Sequence, residues 1–135
     1  MSGLYDGWIL EHSKAPRGAA RLEGATHSAR RDNPFCGDRI TLDLVVRCER
    51  IVAVGFEARA CAICIATGSL LTSLAEGLAV DDVAGLVESA RAAVDATAPE
   101  PPAHLEPLAL IRTVPTRRRC ATLPFEALQG ALEDR

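Results

Sequence analysis

Apolar positions fall into blocks whose spacing changes along the chain. Leu4, Trp8 and Ile9 lie near one helical face, and Pro16 stops a helix after Lys14, so a short N-terminal helix is predicted. Ile40, Leu42, Leu44 and Val46 then alternate, as do Val52, Val54, Phe56 and Ala58, with the charged stretch Arg47 to Arg50 between the two runs. Alternation sends successive side chains to opposite faces of a strand, so this region reads as a β-hairpin.

From Ala62 the period lengthens. Ile63, Ala66, Leu70 and Leu74 recur at three- and four-residue spacing up to Glu76-Gly77, which predicts an amphipathic helix. A further helix is predicted from Val80 to about Ala96, with Asp81 and Asp82 suited to its positive end and Val83, Leu86 and Val87 on its inner face. Thr97 to Pro107 holds four prolines and few apolar anchors, and reads as a loop. Leu108 to Ile111 suits a short helical turn, and Thr122 with Pro124 marks the start of a last helix through Leu128 and Leu132. No internal repeat is present. The 135 residues fit one compact domain spanning 1–135, with the proline-rich loop at about 97–107 as an excursion within it.

Composition narrows the function. With 48% hydrophobic but only 4% aromatic residues, the core must be filled by Leu, Val, Ile and Ala. A net charge of -3 argues against nucleic acid as a partner, which needs a basic face; the only dense basic cluster is Arg117-Arg118-Arg119. No apolar run reaches the ~18 residues of a membrane helix, and Met1 to Trp8 lacks the features of a secretory signal. A cytoplasmic protein with no membrane partner is therefore expected. In that compartment five cysteines point to metal binding or thiol chemistry rather than disulfides, although a buried free cysteine is also a common core residue.

Context separates the five. Cys36-Gly37-Asp38 follows Asn33-Pro34 in a turn that leads into the first alternating run, and the glycine lets the backbone turn both side chains toward one point. Cys61 lies where the second run ends and a helix begins, a place that favours thiolate over thiol. A hairpin with Cys36 at one end and Cys61 at the other brings the two together, whereas Cys120, just before the last predicted helix, is not so constrained. Thiolates with one carboxylate suit zinc, and cysteine ligation equally suits an iron–sulfur cluster; spacing alone does not choose. Cys61-Ala62-Ile63-Cys64 has a redox spacing but no βαβ unit around it, so Cys64 reads as a core thiol. Cys48 in the charged turn reads as incidental, His27 and His104 as loop residues, and His12 as structural or docking.

The whole pattern resembles the U-type iron–sulfur cluster assembly family, comprising IscU, SufU and the N-terminal part of NifU. The likeness rests on Leu4-Tyr5 with Ile9-Leu10-Glu11-His12 and Lys14-Ala15-Pro16-Arg17, on Asn33-Pro34-Phe35-Cys36-Gly37-Asp38-Arg39-Ile40, on Phe56-Glu57 through Cys61, Ile63 and Ile65, and on Arg119-Cys120-Ala121-Thr122-Leu123. It implies an α+β fold, a small antiparallel sheet of about three strands with helices packed on one face, and Cys36, Asp38, Cys61 and Cys120 as metal ligands. Arg119, where the Isc-type scaffold carries a histidine, and the long segment before it are closer to the SufU branch. That branch implies a zinc-bound sulfurtransferase in which Cys36 accepts persulfide from a SufS-type cysteine desulfurase, Arg117 acts as charge partner, and a downstream Suf assembly complex takes the sulfur. The scaffold alternative implies iron or a transient [2Fe-2S] cluster at the same ligands, and a third reading makes the zinc purely structural. Ala60 and Cys64 depart from the family pattern.

Overall fold

A computed structural model describes residues 7–35 and 37–133. Leu4 and Tyr5 of the N-terminal motif lie outside the described residues. Helix α1 (Trp8–Lys14) is followed by an irregular segment and by three strands, β1 (His27–Asn33), β2 (Asp38–Arg47) and β3 (Arg50–Arg59). They form one antiparallel sheet in the order β1-β2-β3. Helices α2 (Ala62–Ala75), α3 (Val83–Ala93) and α4 (Arg118–Glu133) follow, with 3-10 turns at 80–82, 103–113 and 115–117.

The two alternating runs form the expected hairpin, with Leu42 opposite Phe56 and Leu44 opposite Val54. Cys48 and Glu49 make its turn, both at positive φ (51° and 64°), the backbone sense that follows the right-handed twist of the strands. Ile40, Leu42, Leu44, Val54 and Phe56 are buried on one face of the sheet, where α2 and α4 cover them; α1 packs on α2 and α3 on α4.

Strand β1 has no apolar alternation, and no pattern predicts it. Its sequence, His-Ser-Ala-Arg-Arg-Asp-Asn, buries only Ala29 and Asn33, and His27 belongs to it rather than to a loop. What places β1 is seven-residue pairing with β2 and a bare patch on α4: the Arg31 guanidinium lies over Gly130, where a Cβ would collide with it. Its outer edge carries Arg30, Arg31 and Asp32. The corresponding edge of β3 is covered instead, since Ile51 donates to the Leu78 carbonyl (2.9 Å), Gly77 to the Ile51 carbonyl (2.7 Å) and Phe56 to the Gly18 carbonyl (2.8 Å).

The helix after Cys61 is not amphipathic. Ten of its residues are buried, from Ile63 round to Ser69, Thr72 and Ala75, because the sheet, α1 and α4 enclose it. Its threonines close on themselves: Thr67 and Thr72 donate to the carbonyls of Ile63 (2.8 Å) and Gly68 (3.0 Å). Gly68 is the contact point for the Phe56 ring, and a Cβ there would sit 2.9 Å from its tip. Ser69 joins α1 to α2, bonding His12 Nδ1 at 2.7 Å and accepting the Arg17 N–H at 2.8 Å.

The 18–22 segment crosses the other face of the sheet. Asp43, 1% exposed, accepts a forked pair of bonds from Arg21 (2.6 and 3.1 Å), the Leu22 N–H (3.0 Å) and the Ser28 hydroxyl (2.7 Å). Burial alone would raise its carboxyl pKa, but these donors hold it below the usual value.

Two later boundaries differ from the pattern. The proline-rich stretch becomes 3-10 helix from Ala103, because Leu105, Leu108 and Ile111 are fully buried and Arg112 donates to the carbonyls of Ala92, Ala93, Ala98 and Pro99. The last helix starts at Arg118 rather than Thr122, so Pro124 lies inside it.

Candidate metal centre

Three element ends meet at one edge of the core. Asp38 opens β2, Cys61 caps α2, and Cys120 lies in the first turn of α4, inside the helix rather than just before it. One donor atom from each lies within 4.8 Å of the other two. Asp38 and Cys120 are buried, at 4% and 1% exposure, while Cys61 is half-buried. Cys36, the fourth residue expected here, lies outside the described residues.

Local structure explains each position. Asn33 is buried and its side-chain oxygen accepts the Phe35 N–H (3.1 Å) while its carbonyl accepts the Gly37 N–H (2.8 Å). Gly37, at φ 75°, turns the chain back so that Asp38 pairs with Asn33 and starts β2. Cys61 has the extended backbone of a cap residue (φ -68°, ψ 165°), and its N–H is taken by Asp38 Oδ1 at 3.0 Å. The Cys61 thiol donates to Asp38 Oδ2 at 3.4 Å. Asp38 therefore orients Cys61 through both backbone and side chain, a link invisible in the spacing; an acidic residue at a strand start beside a helix start is the signal that points to it. Pro124, inside α4, has no N–H to give to the helix.

The site opposes ionisation of its most buried thiol. Burial first, then the neighbouring Cys61 and Asp38, push the Cys120 thiol far above the ordinary cysteine range. A cation inserted among the three donors reverses that balance, since a coordinating thiol gives up its proton. Sulfurs on a zinc tetrahedron with ~2.3 Å bonds lie about 3.8 Å apart, so a cluster already within 4.8 Å needs little movement to close on the metal. Two sulfurs and a carboxylate oxygen fit zinc, and the donor set equally admits iron.

Arg117, Arg118 and Arg119 stand at the positive end of α4, whose first turn has no acidic residue. Cations there work against the helix dipole. Arg117 is half-buried on the 3-10 turn before Cys120; Arg118 and Arg119 are exposed. Cys64 is fully buried on α2 and outside the donor cluster, and Cys48 is exposed in its turn. Among the described residues no helix is long and apolar enough to cross a membrane.

Comparison with known proteins gives the family: the model of the NifU-like N terminal domain matches residues 4–133. The chain belongs to that family. This NifU-like domain is 29% identical over 131 residues, 97% of its own length and 76% of the relative's, to the iron–sulfur cluster assembly scaffold protein IscU 1 of Archaeoglobus fulgidus. It is 27% identical over 132 residues, 96% of its length and 89% of the relative's, to the zinc-dependent sulfurtransferase SufU of Bacillus subtilis. A crystal structure of a NifU-like protein (N-terminal) from Brucella abortus superposes with a TM-score of 0.87 at 20% identity, over 96% of this chain and 92% of that one. The fold is thus the NifU-like fold, a three-stranded antiparallel sheet with helices, as the motif resemblance implies.

Proposed function

We propose that this NifU-like domain serves iron–sulfur cluster biogenesis as a zinc-bound sulfur acceptor, with Cys36, Asp38, Cys61 and Cys120 as ligands. The observation that carries it is the convergence of Asp38, Cys61 and Cys120, from three separate element ends, on one metal-sized space. Bound zinc supplies Lewis acidity that keeps the donor thiols as thiolates.

Asp38 holds Cys61 and the start of α2 in place; burial shields Cys120 from solvent. Cys36, which lies in sequence between Asn33 and Asp38, is the thiol we assign to transfer. Its thiolate attacks the terminal sulfur of a persulfide on a SufS-type cysteine desulfurase, forming one S–S bond as another breaks and returning the desulfurase cysteine as thiolate, so no external oxidant or reductant is needed. The sulfur then passes to a downstream Suf assembly complex. Arg117 offsets the negative charge of the donor set and favours release of one ligand. Arg119 before Cys120 and the likeness to a zinc-dependent sulfurtransferase support this reading.

The likeness to a protein named as an assembly scaffold favours a second reading, in which a [2Fe-2S] cluster is built on the same ligands. Anaerobic incubation of the zinc-loaded protein with desulfurase, cysteine and ferrous iron separates them. Faster desulfurase turnover with a colourless, zinc-retaining protein supports relay. Loss of zinc with a stable visible chromophore establishes the scaffold.

A further inference from the structure

Phe35 is 90% exposed, the most exposed large apolar side chain among the described residues. It is not a loose loop residue. Asn33, itself 4% exposed, accepts its N–H at 3.1 Å and, through its carbonyl, that of Gly37 at 2.8 Å, so a buried side chain fixes the turn that holds the ring in water. The turn lies at the sheet end that carries Asp38 and Cys61.

The same end carries positive charge that is only partly paired among the described residues, although the whole chain has a net charge of -3. Arg39 and Arg59 are direct cross-strand neighbours on β2 and β3, an arrangement of like charges that weakens a sheet. Asp32 lies 3.6 Å from Arg39 but is forked onto Arg30 at 3.2 Å. Arg59, two residues before Cys61, and Arg119, next to Cys120, are exposed and make no ion pair among the described residues; Glu57 is the exposed acid nearest in sequence to Arg59. A rigidly presented aromatic ring on a sheet end that also carries Arg59 has the composition of an interface hot spot and its rim.

We propose that Phe35, with Arg59 and Arg119 at the same end of the molecule, is the docking anchor that seats the desulfurase over the metal centre, the ring entering an apolar socket edged by carboxylates on that enzyme. This rests on the desulfurase reading above. The ring supplies residence time, and the arginines supply steering and orientation.

The test measures association and dissociation of the zinc-loaded full chain with the cysteine desulfurase of the same cell, at low and high salt, with zinc content and sedimentation followed in parallel. Phe35→Ala is expected to weaken binding about tenfold or more through faster dissociation, with zinc retained. Arg59→Glu is expected to slow association severalfold and flatten its salt dependence. Binding of both variants like the parent overturns the anchor while leaving the function intact. Failure of the parent itself to bind overturns the desulfurase reading. Self-association abolished by Phe35→Ala, with desulfurase affinity unchanged, overturns the proposal by assigning the face to a second copy of the chain.

Discussion

The Asp38 carboxylate holds Cys61 from two directions, accepting its backbone N–H at 3.0 Å and its thiol at 3.4 Å. One side chain therefore fixes the cap residue of helix α2 and organises the donor cluster. Asp38→Ala is expected to lower zinc affinity by more than about tenfold and to destabilise the fold by about 1 kcal/mol through the lost hydrogen bond to the Cys61 N–H. Asp38→Asn, which keeps an oxygen for the N–H, should retain most of the stability but not the affinity. Chelator competition and thermal melts read the two effects separately; equal loss of both in the two variants contradicts the dual role.

Removing the metal should destabilise the protein without unfolding it. Besides Cys120, the helices and sheet share a continuous apolar core, unlike small domains that fold only on zinc. Circular dichroism of the chelated protein is expected to keep the native spectrum with a lower melting temperature. A fully unfolded chelated state would instead establish a purely structural zinc.

Asp43 sets an acid limit. Its pKa is held below the ordinary carboxylate value despite burial, so its contribution is present above the unfolded-state value near ~3.9 and is lost as pH falls through the lower folded-state value. Asp43→Ala should cost about 1–2 kcal/mol at neutral pH by removing the acceptor of the Leu22 N–H, the Ser28 hydroxyl and the Arg21 guanidinium, and should flatten the stability profile below about pH 4. Denaturant melts across that range check both.

Gly68 has no room for a methyl group against the Phe56 ring. Gly68→Ala is expected to destabilise by about 1–3 kcal/mol despite the better helix propensity of alanine. Gly68→Ala combined with Phe56→Leu should recover part of the loss, and an unchanged melting point for Gly68→Ala alone would contradict the contact.

Cys64 should prove a packing residue. Cys64→Ser puts a hydroxyl into a fully buried site and is expected to lower stability by about 1–2 kcal/mol. Zinc stoichiometry should remain that of the parent; a fall in bound zinc would bring Cys64 into the site.

What the sequence reveals here follows the physics of each segment. The β2–β3 hairpin is plain because Ile40, Leu42, Leu44, Val54 and Phe56 face one apolar core in alternation. The start of α4 is hidden because Arg117-Arg118-Arg119 resembles a solvated linker, and Thr122-Pro124 imitates a helix start inside a helix already under way. The Thr97–Pro107 excursion conceals Leu105, whose burial depends on partners from distant elements. Of the site, the Asp38 strand start and the Cys61 junction are local and legible, whereas the arrival of Cys120 depends on how α4 packs across the sheet. The grip of Asp38 on Cys61 exists only once β2 and α2 have met.

The polar composition of β1 that hides it from periodicity also protects the molecule from its neighbours. A three-stranded sheet has two outer edges, and here Gly18 and the 77–79 turn occupy the backbone groups of the β3 edge. Among the described residues no backbone hydrogen bond covers the outer side of β1, which carries Arg30 and Asp32, side chains that resist strand addition from another chain. Replacing those charges with valine or threonine would improve strand propensity and, by the same step, make the sheet a template for fibrous aggregation.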